Sequence, residues 1–93
     1  MGSPELAFCI FKYFPYGGIQ RDFLKIALES IRLGSQVRVY TLKWTGEVPD
    51  DFDLVLVPVS AITRHTLYRR YSEWVRDHLA KNPVDVVVGI NKI

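Results

Sequence analysis

Three apolar runs constrain this chain more than any other feature: Leu6-Ala7-Phe8-Cys9-Ile10-Phe11, Leu54 to Val59, and Val86-Val87-Val88-Gly89-Ile90 behind Asp85. A strand with one wet face alternates apolar and polar residues. A run that is apolar at every position fits a strand covered on both sides, as in a parallel sheet with helices above and below. A fourth stretch, Gln36 to Thr41, alternates through Val37, Val39 and Thr41 and reads as another strand.

Between these runs lie two helical patterns. Ile19, Phe23, Ile26, Ala27, Ser30 and Ile31 recur at helical spacing, and Gly34 closes that helix. Leu67, Tyr71, Trp74, Val75, His78 and Leu79 form a second stripe that ends at Asn82-Pro83. Residues 42–52 show no period and read as loop. The order strand, helix, strand, strand, helix, strand predicts an α/β, Rossmann-like, mostly parallel four-stranded sheet with two helices. Right-handed crossovers give the strand order 3-2-1-4. The loop 42–52 is short for a parallel crossover, which leaves an antiparallel third strand open. Pro58 marks that strand as an edge or a strand end.

Residues 1–93 therefore read as one truncated Rossmann-like domain, with residues 1–4 a leader of no structural role. The apolar strand 85–90 ends the sheet with a bare edge. Proteins avoid such edges, so further chain or a second copy is expected there, the latter as a homodimer. Twelve basic and ten acidic residues leave a net charge of +2, too balanced to point to nucleic acid. Cys9 is the sole cysteine, so an internal disulfide and a cysteine-based metal cluster are excluded. No apolar run is long enough to span a bilayer.

The chemistry-bearing feature is the glycine pair in Lys12-Tyr13-Phe14-Pro15-Tyr16-Gly17-Gly18-Ile19-Gln20-Arg21-Asp22. It joins the first strand to the first helix. Backbone N–H groups at such a helix start point toward a place where an anion can sit. Gly18 is the nearest acceptable cap, and it has no side chain to occupy those donors. A P-loop is excluded because Ile19-Gln20 stands where Lys and Ser or Thr belong. A dinucleotide fingerprint is disfavoured by the glycine spacing and by the absence of a carboxylate after Tyr40-Thr41. In the order 3-2-1-4 the switch point falls between strands one and four. That places the glycine turn and Asn91-Lys92 at one crevice.

The same run, continued by Val37-Arg38-Val39-Tyr40-Thr41, Trp44-Thr45-Gly46, Val57-Pro58-Val59, Pro83-Val84-Asp85 and Val88-Gly89-Ile90-Asn91-Lys92, resembles the N-terminal domain of GT-B-type retaining glycosyltransferases. Among these it is most similar to the lipopolysaccharide core glucosyltransferases, over roughly residues 6–92. The resemblance implies glucose transfer from UDP-glucose to an inner-core heptose, with no metal and no other cofactor. It places Gly17, Gly18 and Ile19 under the donor diphosphate. Lys12, Tyr13, Arg21, Asp22, Asn91 and Lys92 would face the acceptor. The main UDP site and its carboxylates lie in the other half of such enzymes, so this chain holds no catalytic residue and is expected to be inactive alone. The implied location is cytoplasmic, peripheral on the inner face of the bacterial inner membrane. Arg64, His65, Arg69, Arg70 and Arg76 around the second helix offer contact with an anionic membrane surface, and a solvated helix face is the plainer reading. A stand-alone phosphate-binding module and an oligomerising scaffold are the competing functions.

Overall fold

A computed structural model describes residues 4–89. Asn91 and Lys92 lie outside the described residues. The elements are β1 (Glu5–Cys9), β2 (Lys12–Tyr13), α1 (Gly18–Arg32), β3 (Gln36–Thr41), β4 (Lys43–Trp44), β5 (Asp53–Leu56), α2 (Arg64–Lys81) and β6 (Val86–Gly89). The main sheet runs β5-β3-β1-β6 with every pair parallel. Counting only its four strands along the chain, this is the predicted order 3-2-1-4, and β5 is parallel.

The first apolar run is not one strand. It breaks at Ile10-Phe11 and resumes as β2, while β3 breaks at Leu42 and resumes as β4. The two continuations pair in parallel, Lys12 with Lys43 and Tyr13 with Trp44. Ile10 N donates to Tyr40 O at 3.0 Å, Leu42 N to Phe11 O at 2.9 Å, and Thr45 N to Tyr13 O at 2.9 Å. The ladder thus runs through the break. Residues 42–52 are therefore not all loop. The second apolar run, Leu54 to Val59, is strand only as far as Leu56, which puts Pro58 beyond the end of an edge strand, where its missing N–H costs nothing.

Each face of the sheet has its own core. On the α1 side Phe8, Ile10, Tyr13, Phe23, Ala27 and Val39 pack together, and Phe52 joins them from the short crossover to β5. On the α2 side Ala7, Tyr40, Val57, Tyr71 and Val75 pack together. Alternation along β1 divides Phe8 from Ala7 and Cys9 in this way. Residue Gly34, at φ +104°, completes the end of α1. Its N–H donates to Ile31 O and Ser35 N–H donates to Ser30 O, both at 2.9 Å, the paired bonds of a Schellman ending.

The end of α2 is tied down by side chains. Arg38 Nη1 donates to the Tyr40 hydroxyl at 3.0 Å and to Asn82 O at 2.7 Å. The Tyr40 hydroxyl also shares a 2.7 Å hydrogen bond with His78 Nδ1. The His78 ring stacks on Trp74, centroids 5.0 Å apart. Both rings are thus packed, as the apolar stripe implies. Nearer the middle of α2, the Tyr71 hydroxyl donates to Tyr40 O at 2.7 Å, and burial holds its pKa well above the ordinary phenol range.

Candidate functional site

In a parallel sheet with returning helices, each helix starts at the carboxyl edge of the strands. Here β2 leads into a tight turn, Phe14-Pro15-Tyr16, in which Gly17 N donates to Phe14 O at 3.3 Å. Gly17 is the cap of α1, extended at φ −91° and ψ 142°, with no side-chain cap bond. Arg21 N–H donates to Gly17 O at 3.0 Å and is the first amide taken into the helix. The amides of Gly18, Ile19 and Gln20 precede it and make up the open first turn.

The two glycines are glycines for different reasons. A Cβ on Gly17 would meet the Phe14 ring at 2.6 Å and the Gln20 side chain at 2.8 Å. Packing forbids a side chain there. Around Gly18 a Cβ would meet nothing within 4 Å. Its φ is not positive either, since among the described residues only Gly34 and Gly46 have positive φ. Neither backbone conformation nor packing demands glycine at position 18. The glycine leaves open space at the start of α1.

Gln20 is a site residue that the pattern of charges and glycines did not reveal. Its Nε2 donates to Lys12 O at 3.3 Å, folding the side chain back across Gly17 and tying the helix start to β2. The available signal was a glutamine at the third helical position, where a side chain reaches back over the cap. Trp44 is the second such residue. It stacks on Tyr13 with centroids 3.9 Å apart and donates from Nε1 to Glu47 O at 2.9 Å. Gly46, at φ +101°, lies against Pro15 and completes the wall of the turn.

Of the acceptor-facing set, the described members are Lys12, Tyr13, Arg21 and Asp22. Lys12 is exposed and Tyr13 is buried. Alternation along β2 turns the Tyr13 ring into the core, between Trp44 and Phe23, and away from the crevice. Arg21 and Asp22 stand on the solvent face of α1, opposite Phe23 and Ala27. Among the described residues no hydrogen bond or ion pair joins Lys12, Arg21 and Asp22. Cys9 is largely buried, and burial pushes its thiol up, so it is an apolar filler and a poor nucleophile. Among the described residues no group of three His, Cys, Asp or Glu side chains could hold a metal ion. Among the described residues no helix is long and apolar enough to cross a membrane.

No protein-family profile matches the chain. Over 88 residues, 95% of its length, it is 49% identical to the lipopolysaccharide glucosyltransferase WaaG of Escherichia coli (strain K12). It also superposes, with a TM-score of 0.91 over 95% of the chain, on the crystal structure of WaaG, a glycosyltransferase involved in lipopolysaccharide biosynthesis. The parallel sheet and its two helices therefore match the fold of a solved GT-B glycosyltransferase. The chain is similar to WaaG over this segment, and it spans about a quarter of that relative's length, 24%.

Proposed function

We propose that this chain is the acceptor-side, N-terminal part of a retaining glycosyltransferase that moves glucose from UDP-glucose to an inner-core heptose of lipopolysaccharide. The observation that carries this reading is Gly18. It sits at the first turn of α1, needs no glycine for its own conformation or packing, and leaves open space at a helix start whose amides have no side-chain cap. The donor diphosphate suits that space, and the 49% identity to a lipopolysaccharide glucosyltransferase supports the reading.

In this reading the amides of Gly18 and Ile19 meet charge that grows on the diphosphate as UDP leaves, while Gly17 lets the chain turn tightly beneath it. Preorganised donors of this kind typically contribute ~3 kcal/mol to a transition state. Lys12 and Arg21, both exposed, supply positive charge toward a phosphorylated acceptor, with Asp22 beside Arg21. No metal takes part, and the 93-residue chain alone does not turn over substrate. The parent works in the cytoplasm at the inner face of the inner membrane. The basic residues of α2 lie toward anionic lipid.

Amide NMR of the chain with and without UDP-glucose tests the donor contact. Weak shifts confined to Gly17, Gly18 and Ile19 support it. Tight binding by the isolated chain favours a stand-alone nucleotide-binding module. Shifts centred elsewhere remove the glycine turn from the donor site.

A further inference from the structure

Gln20 is the third residue of α1, where a glutamine ordinarily folds back so that its oxygen accepts from the N–H of the cap residue. Here the cap is Gly17, and its N–H is already given to Phe14 O at 3.3 Å. The Gln20 side chain instead passes across Gly17 and donates from Nε2 to Lys12 O at 3.3 Å.

Lys12 O is a carbonyl in need of a partner. Backbone carbonyls point to alternate sides along a strand. Those of Phe11 and Tyr13, on either side of Lys12, face β4 and accept from Leu42 N and Thr45 N, each at 2.9 Å. The Lys12 carbonyl between them faces the other way, where among the described residues β2 has no strand neighbour. Gln20 gives the bond that an adjoining strand would otherwise give. Gly17 makes room for this crossing. A Cβ at position 17 would collide with Gln20 Oε1 and lie 2.8 Å from its Cδ. The two residues therefore form one device, a bare backbone at 17 and an amide laid over it from 20.

Among the described residues this is the only side-chain hydrogen bond that ties the first turn of α1 to a strand. The next anchor along the helix is Phe23, fully buried in the α1-side core. Core packing thus fixes the body of α1, and Gln20 fixes its start.

We propose that Gln20 is a positioning residue for glucose transfer. Through Lys12 O it holds the first turn of α1 to the end of β2, so that the amides of Gly18 and Ile19 keep one direction while charge develops on the donor diphosphate. Such donors stabilise a transition state because their direction is set before reaction, and a misplacement of ~1 Å can cost about a hundredfold in rate. In this role Gln20 touches no reacting atom. The inference deepens the proposed function and rests on its placing of the diphosphate at Gly18 and Ile19.

Kinetics test it on a full-length chimera in which this chain replaces the matching 88-residue segment of the E. coli relative. Gln20→Met keeps the length of the side chain and loses the donor; Gln20→Ala loses both. Each is expected to lower kcat about tenfold or more, with KM for UDP-glucose changed by less than about threefold, because the bond orients groups for the transition state. Circular dichroism and a Tm matching the unsubstituted chimera show that the slower enzyme is folded. Gly18→Ala and the double variant Gly18→Ala/Gln20→Met complete a cycle. Since Gln20 acts through the glycine turn, the double variant is expected to fall within about threefold of the slower single one. A chimera that transfers nothing, or one indifferent to Gly18→Ala, overturns the diphosphate placement and this inference together. Slowing by Gly18→Ala without slowing by either Gln20 variant, a loss confined to KM, or two losses that multiply in the double variant overturns the positioning role alone.

Discussion

Gly17 and Gly18 are adjacent and their sequence roles look alike, yet the structure separates them. At position 17 a Cβ collides with Phe14 and Gln20; at position 18 it meets nothing. Replacing Gly18 by alanine should therefore leave folding intact, and even stabilise the chain by ~0.5–1 kcal/mol through the loss of unfolded-state freedom. In an active enzyme carrying this segment the same change should slow glucose transfer tenfold or more, because a methyl group fills the approach to the first-turn amides. Gly17→Ala should do the reverse in stability and lower the melting temperature. Thermal denaturation and a transfer assay on each variant check both. The glycine turn itself was legible because glycines stand out in any chain. The distinction between the two glycines was not, since it depends on where the side chains of Phe14 and Gln20 return in space. Tyr13 illustrates the same limit. One residue of strand alternation decides whether it faces the crevice or stacks on Trp44, and a two-residue strand gives that pattern no room to show.

At the scale of elements, the long apolar strands and the two amphipathic helices could be read directly, because each buries a face whose period is written in several residues. The short pair β2 and β4 could not. It exists only because β1 and β3 continue past a shared break, so its cause lies in the neighbouring strand and not in its own two residues. The crossover from β3 to β5 looked short for parallel geometry, and Phe52 explains how it succeeds. It anchors the chain in the α1-side core, packing edge-on to Trp44 with centroids 5.7 Å apart, without needing a helix. The end of α2 depends on the Arg38–Tyr40–His78 relay. In a double-mutant cycle, Tyr40→Phe and His78→Phe should each cost about 1 kcal/mol. Together they should cost clearly less than the sum, because both remove the same hydrogen bond. Strict additivity in urea unfolding would show that the bond contributes nothing.

For the molecule as a whole, two buried acids set the response to pH. Burial raises the pKa of both the Cys9 thiol and the Tyr71 hydroxyl. Each proton is held more tightly in the folded chain than in the unfolded one. Their contribution to stability is complete while both states are protonated, and it drains away once the unfolded chain begins to lose protons. Unfolding free energy should therefore hold level through neutral pH and fall above about pH 8.5, the ordinary thiol value, with Tyr71 adding to the loss above about pH 10. Tyr71→Phe should flatten the upper part of that decline, and urea titrations at stepped alkaline pH measure it.

If the proposed function holds, this chain can stand in for the matching segment of a lipopolysaccharide glucosyltransferase. The most direct test replaces the matching 88-residue segment of the E. coli relative with this chain and measures glucose transfer from UDP-glucose to heptose-terminated lipopolysaccharide. The account predicts transfer by the chimera, and its loss by tenfold or more on Gly18→Ala with the fold intact. A folded chimera that binds UDP-glucose yet transfers nothing, or one indifferent to Gly18→Ala, would contradict it.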